Sequence, residues 1–161
     1  MDVGVEVFSL SKTYNMTGWR CAAVVGNPEA MTDYWRLKTN VDSGMFEAVQ
    51  VAGIEALTGP QDHVQEASAT YKRRRDLVID ALREIGITID PPKGTIYIWA
   101  PVPEGQTSAS FCEEVLERSG VVVSPGTSYG PNGEGFFRIS LTVPDDRLTE
   151  AIERMRSSLT A

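Results

Sequence analysis

The stretch Phe8-Ser9-Leu10-Ser11-Lys12-Thr13-Tyr14-Asn15-Met16-Thr17-Gly18-Trp19-Arg20 gathers an amine, several hydroxyls and a guanidinium within thirteen residues. An amine can form a Schiff base with an aldehyde, hydroxyls can donate to a phosphate, and a guanidinium can neutralise that phosphate through two parallel hydrogen bonds. A single lysine would be an ordinary solvated side chain, and a single arginine the partner of some nearby carboxylate; the joint pattern carries the reading. Upstream, Val3, Val5 and Val7 alternate with Gly4 and Glu6, which predicts a strand running straight into the serine-lysine segment. Downstream, residues 19–25 predict a second strand, and Gly26-Asn27-Pro28 predicts a turn that opens a helix with proline at an early position. Lys12 is therefore expected in a strand-loop-strand connection.

Beyond that turn the apolar period becomes helical over residues 29–38 and again over 43–57, where Phe46, Val49, Ala52, Gly53 and Ala56 share one face. The break between them, Thr39-Asn40-Val41-Asp42-Ser43-Gly44, is polar and turn-forming, with Asp42 or Ser43 suited to cap the second helix. Gly59-Pro60 opens a long helix ending before Gly86, with Val64, Ala67, Tyr71, Val78, Leu82 and Ile85 at helical spacing and Gly86 suited to a left-handed cap. The cluster Lys72-Arg73-Arg74-Arg75 inside it reads as a solvated helix face. After Gly86 the pattern is strand (95–100), helix (108–119, capped by Ser108), strands (121–124 and 136–142) and an amphipathic helix (145–159). This predicts a compact α/β lobe, joined to an unlike first part by one helix.

In Phe137-Arg138-Ile139-Ser140-Leu141-Thr142 the apolar residues occupy one face and Arg138, Ser140 and Thr142 the other. Arg138 thus points away from the lobe's core, where an arginine by itself would be a surface ion-pair member. The glycine-rich segment before it lacks GxxxxGK[ST] spacing and opens no helix, which argues against a nucleotide cradle.

With 161 residues, 42% of them hydrophobic, the chain has ordinary globular composition. A formal net charge of −7 argues against nucleic acid and anionic membrane as partners and points to a small molecule. Two cysteines without CxxC spacing suit a reducing cytoplasm. The lone His63, expected on a solvent-facing helix start, removes a Ser/His/Asp triad and nearly all zinc geometries from consideration. No stretch is long and apolar enough to span a bilayer.

The run Ser9-Leu10-Ser11-Lys12 followed by Gly18-Trp19-Arg20 resembles the cofactor-lysine signature of the class I/II aminotransferases, the fold type I, aspartate aminotransferase-like group that uses pyridoxal 5'-phosphate. A second likeness lies in residues 122–141, Val-Val-Ser-Pro-Gly-Thr-Ser-Tyr-Gly-Pro-Asn-Gly-Glu-Gly-Phe-Phe-Arg-Ile-Ser-Leu, and further ones in residues 97–105 and 141–144, so the resemblance spans essentially the whole chain. Within the family it is strongest to the LL-diaminopimelate aminotransferases of lysine synthesis. One departure is Ala22 where the group usually has glycine, preceded by Cys21.

The resemblance implies that Lys12 forms the Schiff base with the cofactor, that Ser9, Ser11 and Arg20 hold its phosphate, and that Arg138 clamps the substrate α-carboxylate. It implies amino acid and 2-oxo acid substrates, a cytoplasmic homodimer, and trans contacts from Asp42 and Ser43 across the dimer interface. It also implies a division into a remnant of the large cofactor-binding domain (1–59), a connecting helix (60–85) and a small C-terminal α/β domain (86–161). The family's aspartate for the pyridine nitrogen, its tyrosine and asparagine for the ring oxygen, its stacking aromatic and its glycine-rich helix start have no counterpart here. The expectation is the C-terminal portion of an aminotransferase, inactive or incomplete alone, that binds the cofactor weakly and whose first part lacks sheet neighbours. Two other readings remain open: a pyridoxal-phosphate C-S lyase of the same fold, and a non-catalytic lobe that binds a partner.

Overall fold

The computed structural model describes residues 2–159 and divides between Glu66 and Ala67 into two compact units. In the first, strand β1 (Val5–Ser9) pairs antiparallel with β2 (Ala22–Gly26), from Val5 opposite Gly26 to Ser9 opposite Ala22. Between them lie a single helical turn, α1 (Leu10–Thr13), where the sequence pattern predicts only a loop, and a 3-10 turn over Thr17–Trp19, so that the second strand begins at Ala22 and not at the predicted residue 19. Strand β1 begins two residues later than the valine alternation suggests. Both its faces are exposed, so no buried side sets its start.

Helix α2 (Pro28–Val41) starts as expected, with Pro28 in its first turn and the Asn27 side chain accepting from the Ala30 N–H at 3.0 Å. It runs three residues into the predicted polar break, to Val41, and Asp42 is its C-terminal cap. Helix α3 (Glu47–Thr58) begins four residues later than expected, with Phe46 in the cap position and no side-chain cap. Neither Asp42 nor Ser43 caps it: the Asp42 carboxylate is instead engaged by the Lys38 ammonium of α2, at 2.5 and 2.6 Å.

Helix α4 (Asp62–Glu84) runs across the division. It ends in a Schellman motif: Gly86, at φ +87°, donates to the Arg83 carbonyl and Ile87 to the Leu82 carbonyl, while Ile87 and Leu82 are both buried.

The second unit is a three-stranded antiparallel sheet in the order β3-β5-β4, with β3 at Tyr97–Pro101, β4 at Ser124–Pro125 and β5 at Phe136–Ser140, together with helices α5 (Ser108–Ser119) and α6 (Asp145–Leu159). Period two decides the faces. Ile98, Ala100 and Phe137 turn inward to a core shared with Val78, Leu82, Phe111, Val115, Leu148 and Ile152, and the Phe111 and Phe137 rings lie 4.8 Å apart. Truncating such a side chain costs about 3–5 kcal/mol. The opposite face carries Tyr97, Trp99, Phe136, Arg138 and Ser140.

Three further expectations are corrected. Of the apolar run 121–124, only Ser124 joins the ladder, because Val123 is buried in the core while Val122 is exposed. The cap of α5 is Thr107, in a capping box with Ser110, and Ser108 is fully buried instead. The basic cluster of α4 is not simply solvated: Arg74 donates to the Leu141 carbonyl at 2.9 Å and to Asp145, Arg73 also reaches Asp145, and Arg75 donates to the Pro92 carbonyl and to Asp76. These arginines tie α4 to loops of its own unit.

Candidate functional site

The first unit presents Lys12 on the turn α1. The Ser9 hydroxyl oxygen accepts from the Ser11 N–H at 3.2 Å, as a serine at a helix start does, and its own O–H donates to the Ser11 hydroxyl at 3.0 Å. Thr17 closes the loop by donating its hydroxyl to the Ser11 carbonyl at 3.0 Å. Leu10 is the anchor. It is 3% exposed, its N–H donates to the Cys21 carbonyl at 3.1 Å, and a Cβ added at Gly53 of α3 would lie 3.5 Å from its side chain and 3.2 Å from the Cys21 sulfur. The glycine lets α3 approach closely beneath the lysine-bearing turn.

Arg20 reaches the same end of the ladder because Ser9 pairs with Ala22, two residues beyond it. Its backbone is left-handed, at φ +52°, as is that of Asn15 at φ +54°. Such conformations cost a non-glycine residue on the order of 1 kcal/mol or more, and here they bend the loop back on itself. The Arg20 guanidinium donates to the Thr17 carbonyl at 2.9 Å. Among the described residues no carboxylate pairs with Lys12 or Arg20. The loop between β1 and β2 thus carries two exposed cations without a carboxylate partner among the described residues, together with the linked hydroxyls of Ser9 and Ser11, groups that can hold an anionic ligand and present an amine to it.

Asp42 and Ser43 are exposed and lie between α2 and α3, with Asp42 committed to Lys38. His63 is exposed near the start of α4, its ring 6.0 Å from that of Tyr14. Among the described residues no group of His, Cys, Asp or Glu could hold a metal ion, and no helix is long and apolar enough to cross a membrane.

In the second unit Arg138 lies on the central strand, half-buried, opposite Trp99 on one side and Ser124 on the other. Its guanidinium carbon lies 4.1 Å from the centre of the Tyr97 ring and 4.2 Å from that of Tyr129. Tyr129 comes from the glycine-rich segment, which is a built structure. The backbones of Gly126 and Gly133 pack so closely that a Cβ on either would overlap the other's carbonyl oxygen. The buried Ser108 hydroxyl accepts from the N–H groups of Gly135 (2.9 Å) and Phe136 (3.2 Å) and donates to the Gly133 carbonyl (3.3 Å). The aromatic partners of Arg138 escape a reading along the chain, because Tyr97 and Tyr129 are 41 and 9 residues away. The signal was the outward alternation of Tyr97 and Trp99 opposite that of Phe136 and Arg138.

The family model for aminotransferases of class I and II matches residues 2–155. The LL-diaminopimelate aminotransferase of Desulforudis audaxviator is 56% identical over 98% of this chain, and that of Dehalococcoides mccartyi 53% identical over 96%; in each case the match covers 40% of the relative. Among solved structures, apo-BacF from Bacillus subtilis matches 98% of this chain and 41% of its own with a TM-score of 0.88 at 37% identity. An aminotransferase from Staphylococcus aureus matches 99% and 43% with a TM-score of 0.90 at 36% identity. The chain spans about two fifths of the length of the curated relatives it matches.

Proposed function

This chain belongs to the aminotransferases of class I and II, with the architecture of their fold type I, and on that premise we propose that it serves a pyridoxal-phosphate-dependent transfer of an amino group from an amino acid to a 2-oxo acid, with LL-diaminopimelate as the amino donor in lysine synthesis. The observation that carries the proposal is the Lys12 amine, without a carboxylate partner among the described residues, on a turn fixed by Leu10 that also bears the linked hydroxyls of Ser9 and Ser11.

These residues fit the cofactor's chemistry. Ser9, Ser11 and Arg20 would hold the phosphate, for which their donors and positive charge are suited, and Lys12 would hold the aldehyde carbon. Pyridoxal phosphate supplies, when bound, an electron sink that makes the substrate α-hydrogen acidic. With the cofactor bound, the Lys12 Nζ would be the base that takes the proton from the substrate α-carbon. Arg138 would receive the α-carboxylate on its planar fork and so orient the substrate.

In the same reading, residues 1–59 belong to the cofactor-binding domain, 60–85 form the connecting helix and 86–161 the small domain. The working form is a cytoplasmic homodimer in which Asp42 and Ser43 reach the partner's site.

The test uses the full-length gene product. Borohydride reduction with pyridoxal phosphate, followed by peptide mapping, should place the pyridoxyl group on Lys12, and labelling of Lys38, Lys72 or Lys93 instead would overturn the assignment. Lys12→Ala should abolish amino transfer while non-covalent cofactor binding persists, because the phosphate contacts do not use the amine. Arg138→Lys should weaken amino-acid binding by a few kcal/mol, on the order expected when a bidentate fork becomes a point charge. Release of ammonia without any need for a 2-oxo acid would assign the protein to the lyases.

A further inference from the structure

We infer that Tyr97 and Tyr129 are positioning residues for Arg138, holding its guanidinium through their ring faces so that its N–H donors stay free for the substrate carboxylate. The inference rests on the proposed role of Arg138 as the carboxylate clamp, and it goes beyond that role by naming what aims the clamp.

Arginines elsewhere in this unit are anchored by acids or carbonyls. Arg74 engages Asp145 and the Leu141 carbonyl, Arg75 engages Asp76 and the Pro92 carbonyl, and Arg118 engages Glu114. Arg138 differs. Among the described residues its guanidinium has no hydrogen bond and no acid, and its close partners are the rings of Tyr97 at 4.1 Å and Tyr129 at 4.2 Å.

The chemistry of the two kinds of anchor is opposite. An acid would both neutralise the cation and occupy its donors, leaving little for a ligand. A ring attracts the cation through its quadrupole and takes no N–H, so a long flexible side chain is held in place while its five donors remain available in their plane. Ordering the side chain before the ligand arrives removes part of the entropy cost of binding.

The rings are themselves held. Tyr97 lies on β3 across from Ser140, on the face that carries Arg138. Tyr129 is packed by Trp99, ring centres 5.8 Å apart, and Trp99 is stacked at 5.8 Å on Phe136. The loop bearing Tyr129 is fixed at its base by the close approach of Gly126 and Gly133 and by the buried Ser108 hydroxyl. Register, loop and aromatic packing therefore converge on one side chain. Among the described residues no tyrosine hydroxyl is hydrogen-bonded to Arg138, so the rings alone should suffice.

The test compares Tyr97→Leu, Tyr129→Leu and the corresponding phenylalanine variants with Arg138→Gln in the full-length gene product loaded with pyridoxal phosphate, using LL-diaminopimelate as donor. The leucine variants should each raise KM on the order of five- to tenfold with kcat within about twofold, and phenylalanine should restore KM, because the ring and not the hydroxyl holds the cation. A second readout needs no cofactor. In this chain the Arg138 Nε–H proton resonance should be shifted upfield by the ring currents and should move back in Tyr129→Leu. If Tyr97→Leu fails to fold, the exposed Tyr129 decides alone. If Arg138→Gln raises KM but the leucine variants do not, or if phenylalanine fails to rescue, the positioning role is wrong while the clamp stands. If Arg138→Gln leaves KM unchanged, the clamp itself is wrong.

Discussion

The two units of this chain treat their apolar residues differently. From Val78 to Met155 the second unit buries a continuous cluster that includes Leu82, Ile98, Phe137 and Leu141 at 2% exposure or less. The first buries Leu10 and Met16, while Trp35 is 65% exposed and Phe46 74%, with Val7, Val41, Val51 and Ile54 exposed as well. Both show clean periodicity in sequence. The difference teaches that an amphipathic pattern announces a face to be buried and says nothing of where its cover comes from; only in the second unit does the rest of the same unit supply it. Arg138 accordingly sits on an element with its own core, and Lys12 on a turn held chiefly by Leu10 against α3.

Amide exchange should expose this contrast most strongly. Backbone amides of β3, β5 and α5 should be protected to near the global stability of their unit, and those of β1 and β2 should exchange faster by orders of magnitude. The exposed apolar surface of the first unit should also make the chain associate as concentration rises. A monomer protected evenly from Val5 onward would break the comparison.

Point substitutions sharpen it at smaller scale. Phe137→Ala should cost about 3–5 kcal/mol in denaturant unfolding, through lost burial and the cavity left against Phe111. Val7→Ala, on a strand exposed on both faces, should stay within about 0.5 kcal/mol. Comparable losses at the two positions would show that β1 is covered in solution.

The same contrast explains what could be read from the chain. The strand carrying Arg138 was legible because one of its faces is core, so alternation and burial agree. The residues proposed to hold the cofactor could be singled out because they lie within twelve positions, from Ser9 to Arg20. Expectations failed where a local pattern met a distant partner. Ser108 looked like a cap and is a buried acceptor for Gly135 and Phe136. Arg74 looked solvated and is bound to groups 67 and 71 residues away. Asp42, one of the two expected caps of α3, is engaged by Lys38 instead, and α3 starts four residues late with no side-chain cap. Tyr97 reaches Arg138 through strand register and Tyr129 through the fold of the glycine-rich loop, neither of which the sequence of one strand contains.

The smallest effect separates the units by pH. In the second unit the Arg74 and Arg73 guanidinium groups hold the Asp145 carboxyl below its ordinary range, Lys72 and Arg75 do so for Asp76, and Arg118 and Gln106 for Glu114. A carboxyl with a depressed pKa in the folded state stabilises fully above its unfolded value, about 4, and loses that contribution as pH falls through the folded value, because the unfolded chain then binds more protons. In the first unit the Asp42 carboxylate raises the Lys38 ammonium. That contribution is complete below the unfolded lysine value, about 10.4, and fades as pH rises through the folded one. The second unit should therefore weaken on the acid side and the end of α2 on the alkaline side. These groups face solvent, so the changes should be modest and should shrink further in high salt. Helix melting followed by circular dichroism across pH, at low and high salt, measures both limbs. Asp145→Asn should flatten the acid limb of the second unit and leave the alkaline limb unchanged, and an acid limb indifferent to both that substitution and salt would show that the Arg73–Arg74 clamp on Asp145 contributes nothing to stability.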